Sequence, residues 1–238
     1  ICDNFDELHG DRHFGDDKAL LGGLAKIGDH NMILIGHEKG KTTDDKIYRN
    51  FGMSQPEGYR KACRLMVLAE RFNLPVVTMV DTPGAYPGID SEERGQSEAI
   101  AYNLGVMSSL KTPLLANFIG EGGSGGALAI GVGDHVAMME YATYSVASPE
   151  ACASIVWRDS NMASEAAEAM QLNSASILKL RLIDEVIEEP LGGSHRNPDQ
   201  AALLLKKTII KNLNNLKAQP IKSLLEKRYD RLMSYGKK

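Results

Sequence analysis

GEGGSGGALA, at Gly120–Ala129, follows an apolar run, Leu114–Ile119, and precedes a segment of helical composition that begins at about Ala127. The glycines therefore read as a strand-to-helix turn. The same module stands upstream. Pro75 punctuates the start of a β-branched run, Val76–Val80, which reads as a buried strand. It passes through DTPGAYPG (Asp81–Gly88) into a helix expected from about Glu92 to Leu110. A third version runs through Val136–Met139 and Thr143–Val146, with Ser148 as N-cap and Pro149 at the first helical position. Strands alternating with helices predict an α/β fold with a largely parallel sheet.

Before these modules, the polar stretch Ile1–Lys18 precedes two apolar runs, Leu20–Ile27 and Met32–Ile35. Gly28, Asp29, His30 and Asn31 between them predict a hairpin. Pro56–Asn73 places Tyr59, Ala62, Cys63, Met66, Ala69 and Phe72 on one helical face, with Ser54 and Glu57 as an expected capping box. Arg60, Lys61 and Arg64 then read as the solvated face of that helix. From Pro198 onward the pattern is helical, amphipathic and charged, an appendage for packing or assembly rather than chemistry.

A chain of 238 residues, 43% hydrophobic, can bury a full core. Its net charge of -4 points away from nucleic acid, and 24% charged residues points away from disorder. Cys2, Cys63 and Cys152 lack the spacing of a metal site and read as free thiols. No uncharged apolar run approaches the roughly 18 to 20 residues of a membrane span. A reducing compartment, the cytoplasm, is the expected location.

The glycine turns admit several chemistries. GHEKGKT after Met32–Ile35 invites a phosphate-loop reading, but Gly36 and Gly40 have three residues between them where the Walker pattern needs four, and Asp44 and Asp45 follow where phosphate would sit. Gly122, Ser124 and Gly126 satisfy the nucleophile-elbow pattern, and Asp159 or Asp184 followed by His195 would keep the hydrolase order. The glycines could also serve only a close helix-to-sheet contact. In the last reading the main chain works: glycines let a substrate oxygen approach, and the helix start offers unpaired N–H groups and its positive dipole end. Each such donor is worth roughly 3 to 4 kcal/mol in a transition state.

Taken together, ELHGDRHFGDD (Glu7–Asp17), NFGM and PEGYRKA (Asn50–Ala62), DTPGAYPG, EERGQSEAIA (Glu92–Ala101), GEGGSGGALAIGVGD (Gly120–Asp134), YSVASPE (Tyr144–Glu150), EPLGGSHR (Glu189–Arg196) and RLMSYG (Arg231–Gly236) resemble one family over nearly the whole chain. That family is the α subunit of the multi-subunit bacterial and plastid acetyl-CoA carboxylase carboxyltransferase. The resemblance implies a crotonase-like spiral of ββα units over residues 1–197, with residues 198–238 as a C-terminal helical extension. Members usually carry a further N-terminal helical segment that this sequence does not show.

The resemblance also implies transfer of a carboxyl group from carboxybiotin to acetyl-CoA, giving malonyl-CoA, the committed step of fatty acid synthesis. No cofactor would be bound by this chain itself. Implied partners are a zinc-ribbon β subunit in an α2β2 assembly, the biotin carboxyl carrier protein and biotin carboxylase. The oxyanion pair falls on Gly125 and Gly126, with Gly122, Gly123, Gly84, Ala85, Tyr86 and Pro87 lining the carboxybiotin site. Ser148 and Glu150 are weaker candidates, since capping explains both. On this assignment Gly126→Val is expected to block transfer while the αβ complex stays assembled. A serine hydrolase using Ser124 and a non-catalytic scaffold for the β subunit are the alternatives.

Overall fold

The computed structural model describes residues 1–236, so the last two residues of the expected C-terminal extension lie outside the described part. The sheet starts as an antiparallel meander of β1 (Asn4–Glu7), β2 (Leu20–Ile27) and β3 (His30–His37). Ile27 pairs with His30 across a tight turn in which Gly28 has φ +57°. The hairpin thus forms where the sequence places it.

A short helix, α1 (Thr43–Tyr48), capped by the Thr42 hydroxyl, leads to α2 (Pro56–Arg71). Helix α2 buries Tyr59, Ala62, Cys63, Met66 and Ala69, but Phe72 lies past its end and is exposed. The expected capping box does not form. Gln55 is the N-cap without a side-chain bond, its own N–H is taken by Asp17 Oδ2 at 2.8 Å, and Glu57 turns to Arg60 and Arg94.

The cationic face of α2 is a larger departure. Lys61 is buried, its Nζ 2.6 Å from Asp16 Oδ1, and Arg60 pairs with buried Asp11 and Glu57. Arg64 donates to the carbonyls of Leu8, His9 and Gly10. These residues fasten the Glu7–Asp17 loop and are not a solvated face.

Parallel pairing follows. β4 (Val76–Thr82) sits between β3 and β5 (Leu114–Gly123), and α3 (Ile89–Glu93) and α4 (Gln96–Ser109) connect β4 to β5. The single helix expected over Glu92–Leu110 is broken at Gly95, which adopts φ +84°. α5 (Ser124–Gly131) leads to β6 (His135–Met139), which pairs with β5, and to β7 (Thr143–Ser145), which pairs with the glycine end of β5. α6 (Pro149–Trp157) has Ser148 as N-cap, its hydroxyl accepting the Ala151 N–H.

α7 (Ala163–Met170), α8 (Ser174–Lys179) and the edge strand β8 (Glu185–Ile187) precede α9 (Pro198–Lys217) and α10 (Ile221–Ser234). Helix α9 buries Leu205, Ile209 and Leu213 in the same apolar core as the sheet. Helix α10 drives the fully buried Arg228 onto Asp134 at 2.7 Å and onto the carbonyls of Met107, Leu110 and Thr112. Among the described residues no helix is long and apolar enough to cross a membrane.

Candidate functional site

β4 and β5 end side by side, so the loops leaving them meet. Buried apolar residues hold β5 in the sheet through Phe118. Beyond Phe118 the β6 pairing ends and β7 takes that side, pairing Gly122 with Tyr144 and Gly123 with Ser145. Helix α5 starts at Ser124, three residues earlier than the composition suggests. Ser124 itself takes φ +50°, a left-handed turn that redirects the chain into the helix.

Four of the five turn glycines answer to packing. A Cβ on Gly122 would lie 2.6 Å from Phe118 Cδ1, one on Gly123 2.1 Å from the Pro83 carbonyl oxygen, and one on Gly120 2.5 Å from Asp81 Oδ1. A Cβ on Gly126 would lie 2.6 Å and 2.7 Å from the Gly84 carbonyl carbon and the Ala85 nitrogen. Gly125 is different. Its Cβ would meet only Ile100 Cδ1, at 3.4 Å, so steric crowding does not account for glycine there.

Gly125 and Gly126 are the second and third residues of α5, where N–H groups have no carbonyl inside the helix. No side chain and no loop carbonyl accepts from either, and among the described residues the Ala85 N–H across from Gly126 is without a partner. The DTPGAYPG loop is held rigidly around that point. The Thr82 hydroxyl lies 2.7 Å from the Gly52 carbonyl oxygen and 2.8 Å from that of Gly84, and it accepts the Gly84 N–H. Tyr86 donates its N–H to the Ser54 carbonyl, and the Gln96 amide spans the carbonyls of Ser54 and Tyr86.

The structure thus brings Gly84 and Ala85 onto Gly126, with Gly125 beside them. Tyr86 is tied to Ser54 and Gln96, Pro87 is exposed, and Gly122 and Gly123 serve the strand and the close contact. Thr82 and Gln96 were not singled out from the sequence, and Ser54 was read only as a helix cap, although each stands in or beside a quoted motif. Their roles depend on hydrogen bonds between segments far apart in the chain, which no local pattern displays.

Beside Gly125 opens a cavity of about 460 Å³ walled by Leu104, Leu128, Val132 and Tyr144. Behind the strand ends His37 is buried. Burial pushes its pKa down to about 4, against the opposing attraction of Asp81, so the ring is neutral at pH 7.

The hydrolase constellation is not assembled. Among the described residues no hydrogen bond joins Ser124 to a histidine. His195 sits at a separate cavity with Tyr141 and Glu189, Asp184 is engaged by Arg231 and the Val136 N–H, and Asp159 caps Asn161. Ser148 acts as a cap, as its position at the start of α6 requires.

Comparison with known proteins agrees with this architecture. Residues 1–236 match the family model described as acetyl co-enzyme A carboxylase carboxyltransferase-like. The acetyl-coenzyme A carboxylase carboxyl transferase subunit alpha of Azotobacter vinelandii is 59% identical over 237 residues, 100% of this chain and 75% of that protein. The subunit of the same name from Vibrio cholerae is 60% identical over 236 residues, 99% of this chain and 74% of that protein.

Among solved structures, a Pseudomonas malonate decarboxylase hetero-tetramer in complex with coenzyme A superposes with a TM-score of 0.71 at 16% identity, over 93% of this chain and 89% of that one. Transcarboxylase 12S superposes at 0.68 and 20% identity, over 87% of this chain and 40% of that one. At such identities the likeness speaks for the fold alone, a mixed-sheet α/β architecture of the crotonase-like carboxyltransferase type. The family match covers every described residue, and the chain belongs to the acetyl-CoA carboxylase carboxyltransferase α-subunit family.

Proposed function

We propose that this chain supplies the carboxybiotin side of a carboxyl-transfer site, moving a carboxyl group from biotin on a carrier protein to acetyl-CoA to form malonyl-CoA. The observation that carries this reading is the trio of main-chain N–H groups at Gly125, Gly126 and Ala85, gathered at the positive end of α5 and taken by no side chain or loop carbonyl. Gly125 and Gly126 hold the ureido oxygen of biotin. As the bond between the ureido nitrogen and the carboxyl carbon breaks, its electron pair moves toward that oxygen, and the N–H groups stabilise the charge. The resulting anion takes a proton from the acetyl methyl group, and the enolate so formed attacks the released CO2. No side-chain base is required on this chain.

Gly84 and Ala85 shape the opposite wall, fixed by Thr82, and the cavity beside Gly125 is within the size range of small-ligand clefts. Residues 1–197 carry the chemistry in this reading, and the helices beyond fasten the fold. The partners are a β subunit bringing acetyl-CoA, in an α2β2 assembly, the biotin carboxyl carrier protein, and biotin carboxylase to recharge it. The chain works in the cytoplasm or a plastid stroma.

The test uses the assembled αβ complex and the transfer of carboxyl from malonyl-CoA to biocytin. Gly126→Val, the substitution first suggested by the sequence, is unsuitable because its Cβ would strike the Gly84–Ala85 peptide. Gly125→Val is the cleaner variant, with Gly125→Ala as a control for folding. The valine variant is expected to assemble with β and to lose about 10² to 10³ in rate. Undiminished transfer would rule out the oxyanion role and leave the scaffold alternative.

A further inference from the structure

We infer that Asp81, held by Lys39, is the positioning residue of the glycine turn; the inference rests on the transfer-site reading above. β4 and β5 keep a regular parallel register from Val76 opposite Leu114 to Val80 opposite Phe118. The next pair is Thr82 opposite Gly122. Asp81 alone on β4 thus faces Ile119, Gly120 and Glu121 on β5. Such a slip removes ladder bonds and bends the strand, and this bend aims β5 into the turn before α5.

The Asp81 side chain replaces what the slip takes away. Its Oδ1 accepts the Glu121 N–H at 2.9 Å, and a Cβ on Gly120 would fall 2.5 Å from the same oxygen. Glycine at 120 is the space in which the carboxylate sits. Lys39 Nζ lies 2.8 Å from Asp81 Oδ1 and 2.8 Å from Glu121 Oε2. Burial lowers the Lys39 pKa, but the bonds to Asp81 and Glu121 outweigh it and hold the pKa above its ordinary value, so the ammonium stays charged. From the other side, the Asp81 N–H reaches His37 Nδ1 at 3.4 Å.

Lys39 is itself fixed by a strained segment. Asn50, Phe51 and Gly52 are consecutively left-handed, with φ of 48°, 55° and 78°. Two of the three are not glycine, a conformation that persists only where the surroundings enforce it. A Cβ on Gly52 would stand 2.6 Å from Lys39 Cγ, so the strained turn is pressed onto the lysine stem. The sequence NFGM, to which the transfer reading assigned no task, thereby acquires one. Strain at Asn50–Gly52 holds Lys39, Lys39 holds Asp81, and Asp81 holds the Glu121 N–H three residues before Ser124. Asp81 acts through the backbone and does not touch the reacting atoms.

The experiment compares Asp81→Ala, Asp81→Asn and Lys39→Met in the αβ complex. It measures kcat and KM for biocytin carboxylation together with amide hydrogen exchange at Glu121. Asp81→Ala is expected to lower kcat by on the order of 10²-fold, the usual consequence of a misplaced reacting geometry, and to speed exchange at Glu121. KM should change by less than about twofold, since ground-state binding is not the property lost. Asp81→Asn keeps an oxygen acceptor and should recover to within about fivefold of the parent.

Lys39→Met should move both readouts in the same direction by less, and it carries the test where Asp81→Ala does not assemble. Unchanged Glu121 exchange, normal kcat beside faster exchange, or an asparagine variant as poor as alanine would each overturn the inference. Because exchange at Glu121 reports the hold on the turn whatever the chemistry, its failure is distinguishable from failure of the Gly125 test.

Discussion

The Glu7–Asp17 loop and the Gly120–Gly126 turn use backbone N–H groups in opposite ways. In the loop, buried carboxylates consume the donors. Asp11 accepts from His13, Phe14 and Gly15, Asp16 from Gly10, and Asp17 from Ala19, Leu20 and Gln55. Cations from α2 and Arg94 complete the lock, with the Arg94 guanidinium also resting 4.7 Å from the centre of the Phe14 ring. In the turn, carboxylate help stops at Glu121, and no side chain takes the helix-start donors at Gly125 and Gly126. A stretch whose donors are satisfied by resident anions is a structural fastening, whereas one whose donors stay open is a receptor for a visiting anion. The two motifs thus differ in whether the chain supplies its own negative charge.

The sharpest break in this comparison comes from covering the open donors. Gly125→Val should cost about 3 to 4 kcal/mol in transition-state stabilisation while leaving the melting temperature close to the parent's, because no backbone atom lies near the new Cβ. A variant that melts early yet transfers at the parental rate per folded molecule would make the turn a fastening like the loop.

The reciprocal change removes a resident partner from the loop. Lys61 is 1% exposed and bonds Asp16 and the Asp17 carbonyl. Lys61→Met should destabilise the fold by about 3 kcal/mol in denaturant unfolding, since Asp16 and the Asp17 carbonyl lose their buried cation and Asp16 keeps only the longer, more exposed pair with Lys18 at 3.6 Å. If stability is unchanged, the N–H bonds alone carry the lock.

How these two regions could be read from sequence differed for the same reason. The hairpin, β4, β5 and α2 were legible because hydrophobic spacing is local. Arg60, Lys61 and Arg64 were not, because a helix that faces solvent and one that faces an acidic loop some fifty residues earlier show the same charges. The early start of α5 was hidden as well. Ser124, Gly125 and Gly126 are poor helix formers, and packing of Gly126 on the Gly84–Ala85 peptide overrides that weakness. The motif text located the candidate site, but Thr82, Gln96, Asp81 and Lys39 act through contacts between distant segments.

Acid separates the regions by titration. Burial raises the Asp11 pKa, but the N–H bonds and Arg60 outweigh it and bring it from 3.8 down to about 2. A carboxylate depressed on folding contributes stability in full above its unfolded pKa, and that contribution disappears as pH falls through the folded value. Asp11 should therefore contribute about 2 kcal/mol at neutral pH, lost between about pH 4 and pH 2. Denaturant titrations of Asp11→Asn should show a shallower acid limb than the parent. A limb of equal slope would assign the acid sensitivity to other carboxylates.

The smallest effect bears on Ser124, where the turn carries a side chain it does not use. Its left-handed φ costs about 1 kcal/mol for an L-residue, and glycine at that position gives back roughly half through the freedom it adds to the unfolded chain. Ser124→Gly should thus be more stable by about 0.5 kcal/mol, with transfer activity within about twofold of the parent. The serine hydrolase alternative requires the opposite, because its nucleophile would be gone. If activity collapses in the glycine variant while the fold is firmer, the hydroxyl contributes to the chemistry, and the contrast between a loop that works through side chains and a turn that works through main chain fails at an exposed residue.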